Sequence, residues 1–177
     1  MKLRVNLGKG IFTLSSTFRK VNNVETIGYC NRCSDGRYIV FLDYDNLEQS
    51  WVEEELKHLQ YMFFLNDFYL FKSGVNNYHA VCFDKLTLSE YIEVLRNSSV
   101  DINYINVPLY FGKKIWTLRM TEKNDKDIKF IKVISSKLKH YNQSSPHADF
   151  ISKMFKIKVK LFMPDFNKKL LFARYRT

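Results

Sequence analysis

Glycine and proline are scarce in this 177-residue chain: six glycines and three prolines leave little room for long irregular loops or flexible linkers. Cysteine is scarcer than a disulfide framework needs, and its odd count of three fits free thiols in a reducing, cytoplasmic setting. Cys30-Asn31-Arg32-Cys33 is a lone C-x-x-C. With no second pair at matching spacing it is a poor zinc site and reads as a turn before Asp35-Gly36. No run of about 18 apolar residues occurs, so no membrane span is expected. The start, Met1-Lys2-Leu3-Arg4-Val5-Asn6, lacks the apolar centre of a signal peptide. Internal repeats are missing too, and the expectation is one domain over 1–177. Acids are in deficit, 18 Asp and Glu against 28 Lys and Arg, for a net charge of +10. That balance favours a polyanionic partner, nucleic acid before an anionic membrane surface.

What the chain has is apolar and aromatic side chains, 46% and 16% of the residues, enough for a packed interior. The strongest stretch is Tyr38-Ile39-Val40-Phe41-Leu42-Asp43-Tyr44-Asp45-Asn46. An apolar, β-branched run reads as a buried strand, and such strands do not ordinarily end in two acids. Alternation sends Asp43 and Asp45 off the same face about 7 Å apart. Carboxylates at the carboxyl end of a strand, where α/β sheets place ligands, suit Mg²⁺ or Mn²⁺ better than Zn²⁺. Alone, the pair is equally a strand end and a helix cap.

Residues 47–65 follow with Val52, Leu56, Leu59 and Phe63 at helical spacing, capped by Asn46 with Gln49 three residues on. Asp67–Lys72 and Tyr78–Phe83 read as a hairpin about Ser73–Asn77. Thr87-Leu88-Ser89-Glu90 is a capping box that opens a second helix to about Asn97. Val100–Asn106 reads as a strand ended by Pro108, and Lys114–Lys123 as another. In the latter, Trp116, Leu118 and Met120 share one face, and Thr117, Arg119, Thr121 and Lys123 the other. Ile128–Ser135 is a further strand. Ser145 starts a short helix through Phe155, and Ile157–Leu161 alternates like a half-exposed strand with a basic face.

The order is that of an α+β, RRM-like sheet of the ferredoxin-like βαββαβ plan over 37–135. Short additions stand on either side, a reduced N-terminal part at 1–36 and an extension at 136–177. In this plan helices cover one face of the sheet and leave the other open. Asp43, Asp45, His79 and Arg119 are expected on the open face.

These motifs resemble those of the archaeo-eukaryotic primases and primase-polymerases. Phe41-Leu42-Asp43-Tyr44-Asp45 is similar to the family's first motif, an apolar strand ending in D-x-D. Ser73-Gly74-Val75-Asn76-Asn77-Tyr78-His79 resembles the second, a serine with a histidine six positions later. Val100-Asp101-Ile102 resembles the third, and Trp116–Lys123 the basic strand that follows it. The chain departs where Val75, Asn76 and Asn77 stand in place of the basic residues of replicative primases.

The resemblance implies a minimal catalytic core, of the kind small plasmids or viruses carry, for template-dependent nucleotidyl transfer in DNA replication. It implies Mg²⁺ or Mn²⁺ on Asp43, Asp45 and Asp101, with Glu122 the alternative third acid. Ser73 and His79 would hydrogen-bond the triphosphate, and Lys72, Arg119 and Lys123 would neutralise it. The implied partners are a single-stranded DNA template, nucleoside triphosphates and other replication subunits or a helicase.

Two rival classes stand beside this one. A non-catalytic single-stranded nucleic-acid-binding module would stack bases on sheet aromatics, but the RNA-binding sheet signature is absent. A rolling-circle initiator nuclease would need two close histidines around an apolar residue, and no candidate strand has them.

Overall fold

In the computed structural model, which describes residues 2–7, 10–15, 28–121, 127–139 and 141–162, a four-stranded antiparallel sheet carries the fold. The elements begin with β1 (Lys2–Leu7), β2 (Gly10–Ser15), β3 (Gly28–Cys30) and β4 (Tyr38–Tyr44). Next come α1 (Gln49–Phe63), β5 (Phe68–Gly74), β6 (Asn77–Leu86), α2 (Leu88–Arg96) and α3 (Ile102–Tyr110). The last are β7 (Thr117–Arg119), β8 (Lys129–Ile134) and α4 (Ser145–Phe155). β1 and β2 form an antiparallel pair of their own.

The sheet order is β4-β6-β5-β8. Its first three strands with α1 make the split βαβ expected of a ferredoxin-like plan. The fourth position differs. That plan places the last strand beside β4, whereas β8 pairs with the far side of β5. The edge of β4 is taken by the N-terminal part, through the Arg32–Tyr38 bridge and the Ile39 N–H donating to the Asn31 carbonyl. β7 in turn pairs with β3 and not with the main sheet.

Two elements differ in kind from expectation. Val100–Asn106, expected as a strand, lies largely in the helix α3, with Asp101 as its cap and Pro108 inside it. Its β-branched residues favour a strand locally. The Asp101 side chain accepting from the Asn103 N–H, and Ile105 and Leu109 seated against the core, decide for the helix. Ile157–Leu161 forms no strand, although its alternation is real. Ile157, Val159 and Leu161 lean on the core while Lys158 and Lys160 face outward.

Asn46 does not cap α1. Its φ is +57°, its N–H donates to Asn77 Oδ1, and the cap position falls to Glu48, whose side chain makes no capping bond. The loop after β4 is instead fastened to the β5–β6 turn, where Leu47 N–H also donates to the Asn76 carbonyl. That turn is shorter than expected, with Val75 and Asn76 between the strands and Asn76 at φ +55°.

Neither face of the sheet is open. Val40, Leu42, Leu70 and Ala80 meet α1 and α2 in a first core, together with Trp116. Ile39, Phe41, Tyr69, Phe71, Val81 and Phe83 lie on the other face, under Leu118, Met120 and the α4 residues Ala148 and Ile151. The open face of the RRM-like plan is therefore corrected to a covered one. Exposing Phe41, Tyr69, Phe71 and Phe83 would forgo about 1.5–3 kcal/mol each, so a strand apolar at every position requires cover on both sides.

The capping box opens α2 as its sequence requires. Thr87 Oγ1 accepts from the Glu90 N–H, and Glu90 Oε2 accepts from the Thr87 N–H at 2.7 Å. The Thr87 amide and hydroxyl hold the Glu90 carboxyl below its usual range. The folded pKa being lowered, this contribution is fully present above the ordinary glutamate pKa and is lost as pH falls through the folded value. Thr87→Ala is expected to cost about 1 kcal/mol near neutral pH and progressively less on acidification, read from urea midpoints across pH. A cost that grows at low pH would refute the assignment.

Candidate functional site

The second face of the sheet stays apolar until its last pleat, where charge replaces it. Asp43 lies directly across from His79 in the β4–β6 register. His79 Nε2 stands 3.3 Å from Asp43 Oδ1, with the histidine side chain 6% exposed and the carboxylate 29%. The other ring nitrogen, Nδ1, is buried without a hydrogen-bond partner. Leaving a buried polar group unpaired costs about 1–3 kcal/mol.

Ser73 is buried one pleat beyond Phe71, the cross-strand partner of His79. Its carbonyl accepts from Arg119 Nη2 at 2.9 Å, while Arg119 Nη1 donates to the Thr121 carbonyl at 2.6 Å. A planar guanidinium held at two points is a fixed cation, unlike a swinging lysine. Arg119 thus reaches from β7 to the end of β5 and brings positive charge one pleat beyond the partner of His79.

Asp101 reaches the same end of the sheet through its backbone. Its N–H donates to the Asp43 carbonyl at 3.2 Å. Its carboxylate is turned to the Asn103 N–H and side chain, which it caps. The two acids therefore lie on adjacent backbones with their carboxylates on different partners. Asp45 lies past the end of β4 and is exposed.

The residues implied for metal and phosphate thus separate. Asp43 meets His79, Arg119 meets the Ser73 carbonyl at the neighbouring end of β5, and Asp101 joins Asp43 by its main chain. Lys72 does not join them. It pairs with Tyr78, whose side chain belongs to the first core, so Lys72 faces the helix side and is exposed there. Lys123 and Glu122 lie outside the described residues. The carboxylates do not fit a cation cage as they stand. Among the described residues, no three His, Cys, Asp or Glu side chains gather into a group able to hold a metal ion.

Tyr104 lies within reach of the Asp43 charge, a placement that a strand over Val100–Asn106 does not suggest. Its hydroxyl is buried without a hydrogen-bond partner. Burial holds it well above the usual tyrosine range, and the neighbouring Tyr91 and the charge of Asp43 lift it further. Three residues after Asp101, it falls on the same helix face, a spacing visible once 102–110 is read as a helix. Tyr91 backs it from α2, donating to the Phe41 carbonyl at 2.8 Å.

A second polar cluster stands apart, at the start of α4. Ser144 Oγ is 2.7 Å from His147 Nδ1, Cys33 Sγ is 3.9 Å from the same nitrogen, and His147 Nε2 is 3.1 Å from the Cys30 carbonyl. Burial raises the Cys33 thiol, so it is not poised as a nucleophile. Cys30, Cys33 and Cys82 are all free. No helix among the described residues is long and apolar enough to cross a membrane.

Compared with known proteins, the chain matches no family model, no curated protein and no solved structure.

Proposed function

We propose that this chain is a nucleotidyl-transfer core of the archaeo-eukaryotic primase type, acting on nucleoside triphosphates and a single-stranded DNA template in replication. One observation carries the reading. Asp43 and His79 pair across one end of the sheet, Arg119 is anchored on the Ser73 carbonyl two residues along β5 from the cross-strand partner of His79, and Asp101 is hydrogen-bonded to the Asp43 backbone. The net charge of +10 suits a polyanionic partner.

In this reading Arg119 neutralises the triphosphate, and its two carbonyl anchors fix where the phosphates lie. His79 and Ser73 orient the phosphates by hydrogen bonds. Asp43 steadies the imidazole from the opposite side. Among the described residues the carboxylates gather no cation cage. The setting is a cytoplasmic, plasmid- or virus-type replication system, with other replication subunits or a helicase beside the core.

A second reading is a non-catalytic, single-stranded nucleic-acid-binding subunit. The commitment of the Asp101 carboxylate to the α3 cap favours it. Nucleotide incorporation separates the two. Purified protein, a single-stranded template, labelled nucleotides and Mg²⁺ or Mn²⁺ are expected to yield extended product. Asp43→Ala with Asp45→Ala should lower it by about 100-fold or more. No product in either metal, or equal product from the double variant, would replace the first reading with the second.

A further inference from the structure

Helix α3 leaves the candidate site and ends in exposed aromatic and basic residues that the site does not use. Its inner side is anchored by Ile105, with Tyr104 and Leu109 against the first core. Its outer end carries Tyr110, 85% exposed, and Phe111, 65% exposed, followed at once by exposed Lys113 and Lys114. The two rings stand 5.2 Å apart at 88°, so each offers a separate face.

This end is built and does not trail. Phe111 N–H donates to the Val107 carbonyl, Gly112 N–H to Leu109, and the Lys113 and Lys114 N–H groups both to the Pro108 carbonyl. Gly112 at φ +65° lets the chain turn there. Two adjacent exposed rings beside two exposed lysines make a surface that is both aromatic and basic.

We propose that Tyr110, Phe111, Lys113 and Lys114 form a platform for single-stranded nucleic acid entering or leaving the Asp43 end of the sheet, an inference that rests on the nucleotidyl-transfer reading. Aromatic faces stack any base, and adjacent lysines neutralise the phosphates that link the bases. The net charge of +10 makes the chain complementary to such a strand. Placement supports the same occupant. α3 starts where Asp101 bonds to Asp43, and its nine residues rise about 13 Å at 1.5 Å each. A strand kept base-stacked with the duplex rise of about 3.4 Å per nucleotide spans that gap in about four nucleotides. The platform is therefore reached by the same strand whose end lies at the site.

The test is fluorescence anisotropy of a labelled oligothymidylate with the full chain and its variants. Tyr110→Ala with Phe111→Ala should weaken binding about 10- to 100-fold and leave the salt slope unchanged. Lys113→Ala with Lys114→Ala should weaken binding and reduce the slope of log affinity against log salt by about 1–2. Tyr61→Ala, an equally exposed ring on α1, should change nothing. Nucleoside triphosphate binding should survive all of these substitutions.

Affinity within about 2-fold of native in the aromatic variant overturns the platform, as does a native chain that binds no oligonucleotide. So does a loss seen only against vesicles of phosphatidylserine and phosphatidylcholine, which would make the tip a membrane contact. If oligonucleotide binding depends on the rings but no nucleotide is incorporated, the nucleotidyl-transfer reading falls and the platform stands. Incorporation that is unaffected by the rings gives the reverse.

Discussion

Replacing Trp116 with alanine is expected to remove about 3–5 kcal/mol of stability, the range for truncating a fully buried tryptophan. Trp116 has no exposed surface and meets Tyr38 and Tyr91 edge-on, at ring distances of 6.3 and 5.0 Å. Tyr38 and Tyr91 stack nearly parallel, so one deletion empties the contact of three rings at once. The backbone of Trp116 is also tied to buried Asn31, whose Oδ1 accepts the Trp116 N–H and whose Nδ2 donates to the Ile39 carbonyl. The site depends on this joint, because Arg119 follows three residues later on the same segment. Trp116→Phe is the informative companion. It keeps a ring in place and removes an indole N–H that is buried without a partner, so it should cost clearly less than alanine. Urea unfolding reads both. An alanine variant within about 1 kcal/mol of native would mean that the cavity collapses and that the three rings are not the joint described.

On the proposed nucleotidyl-transfer reading, Arg119→Met is expected to lower nucleoside triphosphate affinity and incorporation by about 10²–10³-fold, the scale for losing one placed charge-stabilising donor. Arg119→Lys should recover little. A single ammonium cannot hold the Ser73 and Thr121 carbonyls together as the guanidinium fork does, so it would keep the charge and lose its position. Lys72→Met is the contrasting variant. The sequence resemblance gives both residues the same role, but Lys72 faces the helix side of the sheet, and its loss should change affinity by less than about 2-fold. Titration with a fluorescent nucleotide triphosphate, beside a thermal melt to show that each variant is folded, compares the three. Equal losses at Lys72 and Arg119 would place the triphosphate across the sheet edge and not at the His79 pleat.

Much of the scaffold was legible because local and tertiary preferences agree there. The apolar run at Tyr38–Tyr44, the stripe Val52, Leu56 and Leu59 and the Thr87 capping box agree with expectation, as does the β5–β6 hairpin apart from its shorter turn. The expected shared face of Asp43 and His79 is found, since a two-residue period survives packing, whereas Asp45 lies past the strand and Ser73, expected in the turn, lies in β5. The misses have a common cause. Val100–Asn106 has the β-branched residues of a strand, and Asp101 as a cap with Ile105 and Leu109 against the core makes 102–110 helical. Asn46 has the composition of a cap, yet its amide is drawn to Asn77 across the sheet.

Sequence by itself determined the split βαβ, the acid pair at the end of β4 and the basic charge, because these follow from side-chain period, capping chemistry and composition. Tertiary structure alone decided that β8 lies beside β5, that both sheet faces are covered and that Lys72 points away from the site. It also turned the Asp101 carboxylate into a helix cap while leaving its backbone on Asp43, and lodged the Tyr104 hydroxyl beside it. The reason is range: strand order and side-chain direction at a site arise from partners far apart in the chain, which no local pattern encodes.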